Sequence, residues 1–389
     1  MILKPVEKIT PPEWMIDAKT QTLMSAIGGY EAQSKFVGGC VRNTLIGADV
    51  SDIDIATQFT PDEIIQKLKV VNIKVIPTGI DHGTVTAVVD GQPFEVTTLR
   101  QDVSTDGRHS EVSFTDDWVQ DAKRRDFTMN TLLADMGGNI FDPLGSGLSD
   151  LNARKVVFVG DPKKRIAEDY LRILRFFRFH AFYGAGEMDG DALEACKASA
   201  DEISSLSRER ITQEFLKILS VDNTINVLQI MFDNNVLSCI FDSEYKANML
   251  SDLCNLQVEN DAVTLMSRLF VLAGNRPRFY DETLRLSHAQ KNFLVKLEMA
   301  FNPVLYGDEK TLKKAIYHHG NALMLQGYLL VLANGKAQID KELLDILQNW
   351  QAPKCPITGN MLIVEGYVTG PDLGQELARR QEEWLDDVL

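Results

Sequence analysis

Cysteine is scarce in this chain, and Cys40, Cys196, Cys239, Cys254 and Cys355 never form a Cys-x-x-Cys pair. That excludes a cysteine zinc cage and a paired disulfide framework, and it fits a reducing compartment, so a cytoplasmic protein is expected. No run of about twenty apolar residues occurs, which removes a membrane-spanning helix from the expectations. The opening MILKPVEKITPPEW lacks a continuous apolar stretch beside basic residues, so no secretory leader is expected. Positive charge is in deficit as well, with 40 Lys and Arg against 55 Asp and Glu and a net charge of −15. Such a balance argues against a general polyanion binder. It leaves a focused basic site open, because net charge governs solubility and non-specific association rather than any one patch.

What is present is ordinary globular material: 389 residues, 44% hydrophobic and 24% charged, enough for two or more buried cores. The first 150 or so residues read as mixed α and β. A helix is expected near Ile16–Ala26, a strand at Lys35–Val37, a helix from about Val41 to Leu45 and a strand over Ser51–Ala56. Pro61-Asp62-Glu63 opens a further helix, and Thr84–Val89 and Phe94–Leu99 flank Asp90-Gly91 as a hairpin. Beyond 150 strand signals fade, with Val156–Val159 a short exception. Asp161 as N-cap and Pro162 at the first helical position open a helical remainder, periodic through Arg208–Leu219, Ile225–Phe232, Ala262–Ala273 and Lys341–Trp350.

Chemistry concentrates near the start. On a strand, residues two apart share a face, so Asp52 and Asp54 project together while Ile53 and Ile55 point inward. Two carboxylates on one face suit Mg²⁺, and in phosphoryl transfer paired metals serve the attacking and leaving oxygens. A solvated strand edge would carry the same pattern. Upstream, Phe36-Val37-Gly38-Gly39-Cys40-Val41-Arg42 reads as strand, glycine turn and helix start, where backbone can approach a phosphate closely and Arg42 can add a forked contact. A tight turn needing glycine is the plainer alternative.

Together, GGCVRN and SDIDIAT resemble the signature of polymerase-β-type nucleotidyltransferases, specifically class II CCA-adding enzymes (tRNA nucleotidyltransferases) and bacterial poly(A) polymerases. Further blocks follow in order: Arg124-Arg125-Asp126-Phe127-Thr128-Met129-Asn130, Asp142-Pro143 with Gly147–Leu151, Glu168-Asp169-Tyr170-Leu171-Arg172, and Ser207-Arg208-Glu209-Arg210-Ile211. Asn43 departs from the family, where many members carry aspartate. The resemblance implies an α+β head with a mixed sheet over residues 1–150. An all-α neck for base selection would follow over 151–222, then a helical body and tail for tRNA binding over 223–389. It also implies a third catalytic carboxylate, for which Glu95 is the candidate, and roles for Arg125, Asp126 and Asn130 in positioning the triphosphate and ribose.

Asp169 and Arg172, at i and i+3, are expected on one helix face. An aspartate accepts from an exocyclic amino group and an arginine donates to ring acceptors, so the pair matches cytosine and adenine and opposes uracil and guanine. The resemblance assigns these positions that task; a simple ion pair is the alternative. Between Arg154 and Arg178 lies a basic stripe, and Arg172, Arg175 and Arg178 sit on a helix otherwise lined by Leu171, Ile173, Leu174, Phe176 and Phe177. Unpaired charge there would be costly, which makes Arg175 and Arg178 candidates for nucleotide contacts. Arg100–Ser113, with Gly107, Arg108 and His109, reads as a mobile loop beside the site that the family uses in changing from C to A addition.

The expected activity is therefore template-independent CCA addition to tRNA from CTP and ATP with Mg²⁺, with no membrane and no DNA partner. A poly(A) polymerase, a CC-only or A-only enzyme and an inactive RNA-binding module are the alternatives. His318-His319 does not match the dyad of phosphohydrolase-fused relatives.

Overall fold

Among the described residues ten short strands carry the first part of the chain, and eight of them form one mixed sheet in the order β1-β10-β9-β2-β3-β6-β5-β4. The computed structural model describes residues 3–106, 109–241, 246–259, 264–273, 283–335 and 338–389. The strands are β1 (Glu7–Lys8), β2 (Ser34–Val37), β3 (Asp54–Thr57), β4 (Lys74–Gly79), β5 (Thr84–Val89), β6 (Gln92–Thr98), β7 (Arg100–Asp106), β8 (His109–Phe114), β9 (Leu133–Ala134) and β10 (Asn139–Phe141). Among the described residues only β3 and β6 pair in parallel, and their register sets Asp54 beside Glu95. The β5–β6 hairpin forms as its Asp90-Gly91 turn requires, with both residues at positive φ and Val89 opposite Gln92.

Around this sheet lie α1 (Glu13–Ile16), α2 (Ala18–Ala26), α3 (Gly39–Leu45), α4 (Pro61–Val70), α5 (Trp118–Arg124), α6 (Gly147–Asn152), α7 (Pro162–Glu168), α8 (Leu171–Tyr183) and α9 (Gly190–Ala198). The single helix expected at Ile16–Ala26 is split, because Asp17 takes an extended conformation and its carboxylate accepts from Lys19 N, capping α2. Thr60 and Glu63 form a full capping box ahead of Pro61, fixing where α4 begins. The strand expected at Val156–Val159 reduces to one bridge, Phe127 with Phe158. Phe158 instead packs its ring on Phe127 and Phe176, so tertiary packing explains the apolar run.

The polar segment expected as a loop over Arg100–Ser113 is a two-stranded antiparallel ribbon, β7 with β8, running from Arg100 opposite Phe114 to Asp106 opposite His109. A ladder needs only backbone donors and acceptors, which a polar stretch supplies as well as an apolar one. Gly107 and Arg108 lie outside the described residues.

The chain divides into two compact units, one of Met1–Leu206 with Asp233–Cys239 and one of Ser207–Phe232 with Ile240–Leu389. The second is helical among its described residues: α10 (Arg208–Leu219), α11 (Thr224–Asp233), α12 (Ala247–Glu259), α13 (Leu265–Ala273), α14 (His288–Tyr306), α15 (Glu309–His319), α16 (Asn321–Ala333), α17 (Lys341–Asn349), α18 (Gly359–Val364) and α19 (Pro371–Val388). Its buried centre is α16, where a Cβ on Gly327 would lie 2.9 Å from the Ala300 carbonyl oxygen. Glycine lets α14 and α16 approach that closely. No helix among the described residues is long and apolar enough to cross a membrane.

Candidate active site

The glycine turn sits where β2 becomes α3. Gly38 has φ 71° and ψ −121°, a conformation open to glycine and strained for other residues. A Cβ at Gly38 would lie 3.6 Å from Arg125 Nη1 and 3.9 Å from the Asn130 carbonyl oxygen, so the turn faces the RRDFTMN block across a narrow gap. Asp121, on α5, fixes Arg125 by accepting from its Nε at 3.1 Å and Nη2 at 2.9 Å.

The aspartate pair is arranged as expected in face but not in strand bounds. β3 begins only at Asp54, so Asp52 precedes the strand. The inward alternation holds, with Ile53 and Ile55 buried, Asp54 half-buried and Asp52 exposed. Asp52, Asp54 and Glu95 line one cavity of about 620 Å³ with Ser51, Thr86 and Gln92. Glu95 projects from β6 between the buried Phe94 and Val96.

Burial, then the neighbouring Glu95, raises the Asp54 carboxyl above the ordinary carboxylate range; Arg125 and Arg42 partly offset this, and Asp52 adds to it. A concentration of negative charge that disfavours its own ionisation is the setting a divalent cation relieves. Among the described residues no group of three His, Cys, Asp or Glu side chains is placed to hold a metal unaided. Two carboxylates completed by phosphate oxygens and water is nevertheless the usual Mg²⁺ arrangement at a triphosphate, so the donor set fits that ion.

The RRDFTMN block is held from several sides. Asp126 Oδ1 accepts from Asn130 Nδ2 at 2.9 Å and Asp126 Oδ2 from Arg175 Nε at 2.9 Å. Burial pushes the Asp126 carboxyl up, but Arg175 and these hydrogen bonds win and hold it below the usual range. Arg42 is only 6% exposed; it donates to Asn130 and Asn43 and, at 2.7 Å, to the Tyr183 hydroxyl. Asn43 thus takes a bond from Arg42 through its amide oxygen.

The segment expected to read bases differs from a single helix face. Asp169 is extended, φ −158° and ψ 106°, and separates α7 from α8. Its carboxylate accepts from Leu171 N at 3.1 Å and its carbonyl from Arg172 N at 3.0 Å, an N-cap arrangement that aspartate favours. Asp169 and Arg172 therefore meet at the start of α8, where Arg172 also pairs with Glu168. Of the arginines expected to face a base or phosphate, Arg172 pairs with Glu168 and Arg175 with Asp126. Arg178 lies with its guanidinium 4.8 Å from the Phe179 ring centre.

Four residues of this network went unassigned from sequence. Asp121 stands three and four residues before Arg124 and Arg125, a helical spacing that could have flagged it. Glu168 and Arg165 carry the same i,i+3 signal, and Arg165 also donates to the Arg124 and Arg125 carbonyls. Tyr183 meets Arg42 across 141 positions and leaves no local signal.

The family described as Poly A polymerase head domain matches residues 34–157, and that described as Probable RNA and SrmB- binding site of polymerase A matches 187–248. CCA tRNA nucleotidyltransferase 1, mitochondrial, from Mus musculus is 34% identical over 97% of this chain and 89% of its own length. The CCA-adding enzyme of Streptococcus gordonii is 32% identical over 93% of this chain and 90% of its own. Among solved structures, the Bacillus stearothermophilus CCA-adding enzyme in complex with CTP has a TM-score of 0.74 at 23% identity, covering 96% of this chain and 94% of that one.

Proposed function

Since the chain belongs to the family of CCA-adding tRNA nucleotidyltransferases, we infer that it adds C, C and A to the 3′ end of tRNA from CTP and ATP without a nucleic-acid template. The tRNA 3′ hydroxyl oxygen bonds to the α-phosphorus, its proton leaves, and the bond to pyrophosphate breaks. The observation that carries the assignment is the convergence of Asp52, Asp54 and Glu95 in one cavity, with the field of Arg125 reaching Asp54 while Arg125 Nη1 faces the Gly38 turn.

The family depends on divalent metal, and Mg²⁺ is the ion we assign, held by Asp52 and Asp54. When bound it supplies Lewis-acid stabilisation at the α-phosphate and lowers the pKa of the attacking hydroxyl. The chain's own groups do the rest. Gly38 and Gly39 admit the triphosphate against backbone, and Arg125 donates to it. Arg42, Asp126, Asn130 and Arg175 fix the block that carries Arg125, and Arg178, on α8, is assigned a contact to the nucleotide. Asp169 accepts from the amino group of cytosine or adenine while Arg172 donates to the neighbouring ring acceptor. Uracil and guanine would present a carbonyl to the carboxylate, costing about 1–3 kcal/mol per mismatched contact.

Residues 1–150 act as catalytic head, 151–222 as base-selecting neck and 223–389 as the tRNA-binding body and tail in this assignment. Contact with A-form RNA by shape and phosphate suits such a helical surface. We assign a cytoplasmic location from the unpaired cysteines; the mouse relative is named mitochondrial, so fractionation with an organelle marker decides it.

The test supplies Mg²⁺, CTP and ATP to tRNAs ending before CCA, after C and after CC. Completion of all three to CCA is expected. Products stalled at CC, or A added only to the last substrate, would assign a split enzyme. Long A tails on unrelated RNA would assign a poly(A) polymerase, and tRNA binding without incorporation an inactive module.

A further inference from the structure

Along α8, Arg175, Phe179 and Tyr183 recur every four residues and share one face. That face closes a ring of bonds with the head. Arg175 holds Asp126, Asp126 accepts from Asn130, Asn130 accepts from Arg42, and Arg42 returns to α8 by donating to the Tyr183 hydroxyl at 2.7 Å. The Arg42 guanidinium also lies 3.9 Å from the Tyr183 ring centre and 5.3 Å from that of Phe179. Arg42 itself is nearly closed to solvent, and its donors are engaged by Asn43, Asn130 and Tyr183. It acts as the bolt between the helix that follows the glycine turn and the far end of α8.

We propose that Tyr183 is a positioning residue for base choice: by clamping Arg42 it sets the register of α8, and hence of Asp169 and Arg172 at its start, against the phosphate-binding turn. The inference rests on the base-reading role assigned above. Tyr183 stands about 16 Å along the helix from Arg172, far too distant to touch the same base. A rigid helix anchored at Arg175 and Tyr183 can carry a change at one end to the other; with one anchor lost, it can pivot about the remaining one. Base discrimination by two hydrogen bonds tolerates little displacement, because misplacing reacting or reading groups by about 1 Å can cost on the order of a hundredfold.

The experiment compares wild type with Tyr183→Phe, which keeps the ring and removes the hydroxyl, and Tyr183→Leu, which removes both. Each is assayed for kcat/KM with CTP and with UTP on tRNA lacking CCA, for CTP binding without RNA by equilibrium dialysis, and for Tm. The charge-assisted bond predicts about tenfold weaker CTP binding in the Phe variant, and the Leu variant should in addition lose about tenfold of the CTP over UTP preference. An unchanged preference in a folded Leu variant overturns the proposal, as does unchanged CTP binding in the Phe variant. A lower Tm with preference and binding intact would make Tyr183 a packing residue and also overturn it. If wild type extends no tRNA, the assigned function fails instead, and the dialysis comparison still reads whether Tyr183 governs the nucleotide site.

Discussion

Replacing Asp121 with asparagine removes one charge from a nearly closed site and leaves two arginines facing it. The Asp121 side chain is 4% exposed, while Arg124 and Arg125, both bonded to it, keep 16% and 18% of theirs. Asp121 also accepts from the Arg100 backbone N–H at 3.3 Å, the first residue of β7. Breaking a buried pair from one side costs about 3–5 kcal/mol, and the residual solvent access of both arginines reduces this to about 2–3 kcal/mol. Urea unfolding followed by tryptophan fluorescence, fitted with a separate transition for each unit, should show the head midpoint fall by about 1 M. The pH dependence adds a sign. Burial pushes the Asp121 carboxyl up, but Arg125 and Arg124 outweigh it and hold it below the ordinary range. A depressed carboxyl stabilises above its unfolded value and loses that contribution as pH falls through the folded one. The wild-type advantage should therefore be full at pH 7 and shrink below about pH 4. A difference under about 0.5 kcal/mol at pH 7, or one that does not change with acidification, would refute the assignment of Asp121 as the anchor of both arginines.

Asp52→Ala and Asp54→Ala should each abolish nucleotide incorporation while leaving circular dichroism and tRNA binding near wild type; substantial incorporation by either would sink the metal assignment. Because burial, Glu95 and Asp52 raise the Asp54 carboxyl, its ionisation opposes folding as pH rises through that range, so Asp54→Asn should raise the metal-free Tm at pH 7 but not below about pH 4. Calorimetry at both values, without and then with Mg²⁺, checks the sign. Asp169→Ala should lower the CTP over UTP preference by about tenfold or more with a smaller change in triphosphate affinity, read from single-turnover kinetics. Gly38→Ala should cost about 1–3 kcal/mol from backbone strain rather than from a clash, since its Cβ would meet Arg125 only at an ordinary 3.6 Å, and a turn displaced by that strain should raise KM for both nucleotides. Wild-type stability in that variant would show the turn can relax.

Local patterns marked the centre of the candidate site because its features are local. Asp52 and Asp54 are two residues apart, Gly38 must adopt a torsion that favours glycine, and Glu95 alternates with Phe94 and Val96 on its own strand. The parallel register that sets Asp54 beside Glu95 joins segments 41 positions apart, and periodicity alone carries no trace of it. The two-stranded ribbon escaped for a related reason: polar composition reports solvent contact, whereas a ladder is made by backbone. The break at Asp169 was legible in principle, since aspartate is a preferred N-cap, but the helix-forming residues on both sides, Pro162–Glu168 and Leu171–Tyr183, masked it.

Arg42 shows most clearly how a local motif leaves a side chain's surroundings undetermined. An arginine after a glycine turn invites a phosphate, and the adjacent Asn43 amide, which accepts from it, is an inconspicuous competitor. Folding supplies three, Asn130, Tyr183 and Phe179, from 88 to 141 positions away, and closes the guanidinium from solvent. A cation buried in that way is affordable only where hydrogen bonds and ring faces replace its water, so each partner is as much a condition of the turn's geometry as the glycines are. The glycine turn and α8 are consequently parts of one bonded cluster, and that is the link through which Tyr183, in our proposal, bears on base choice.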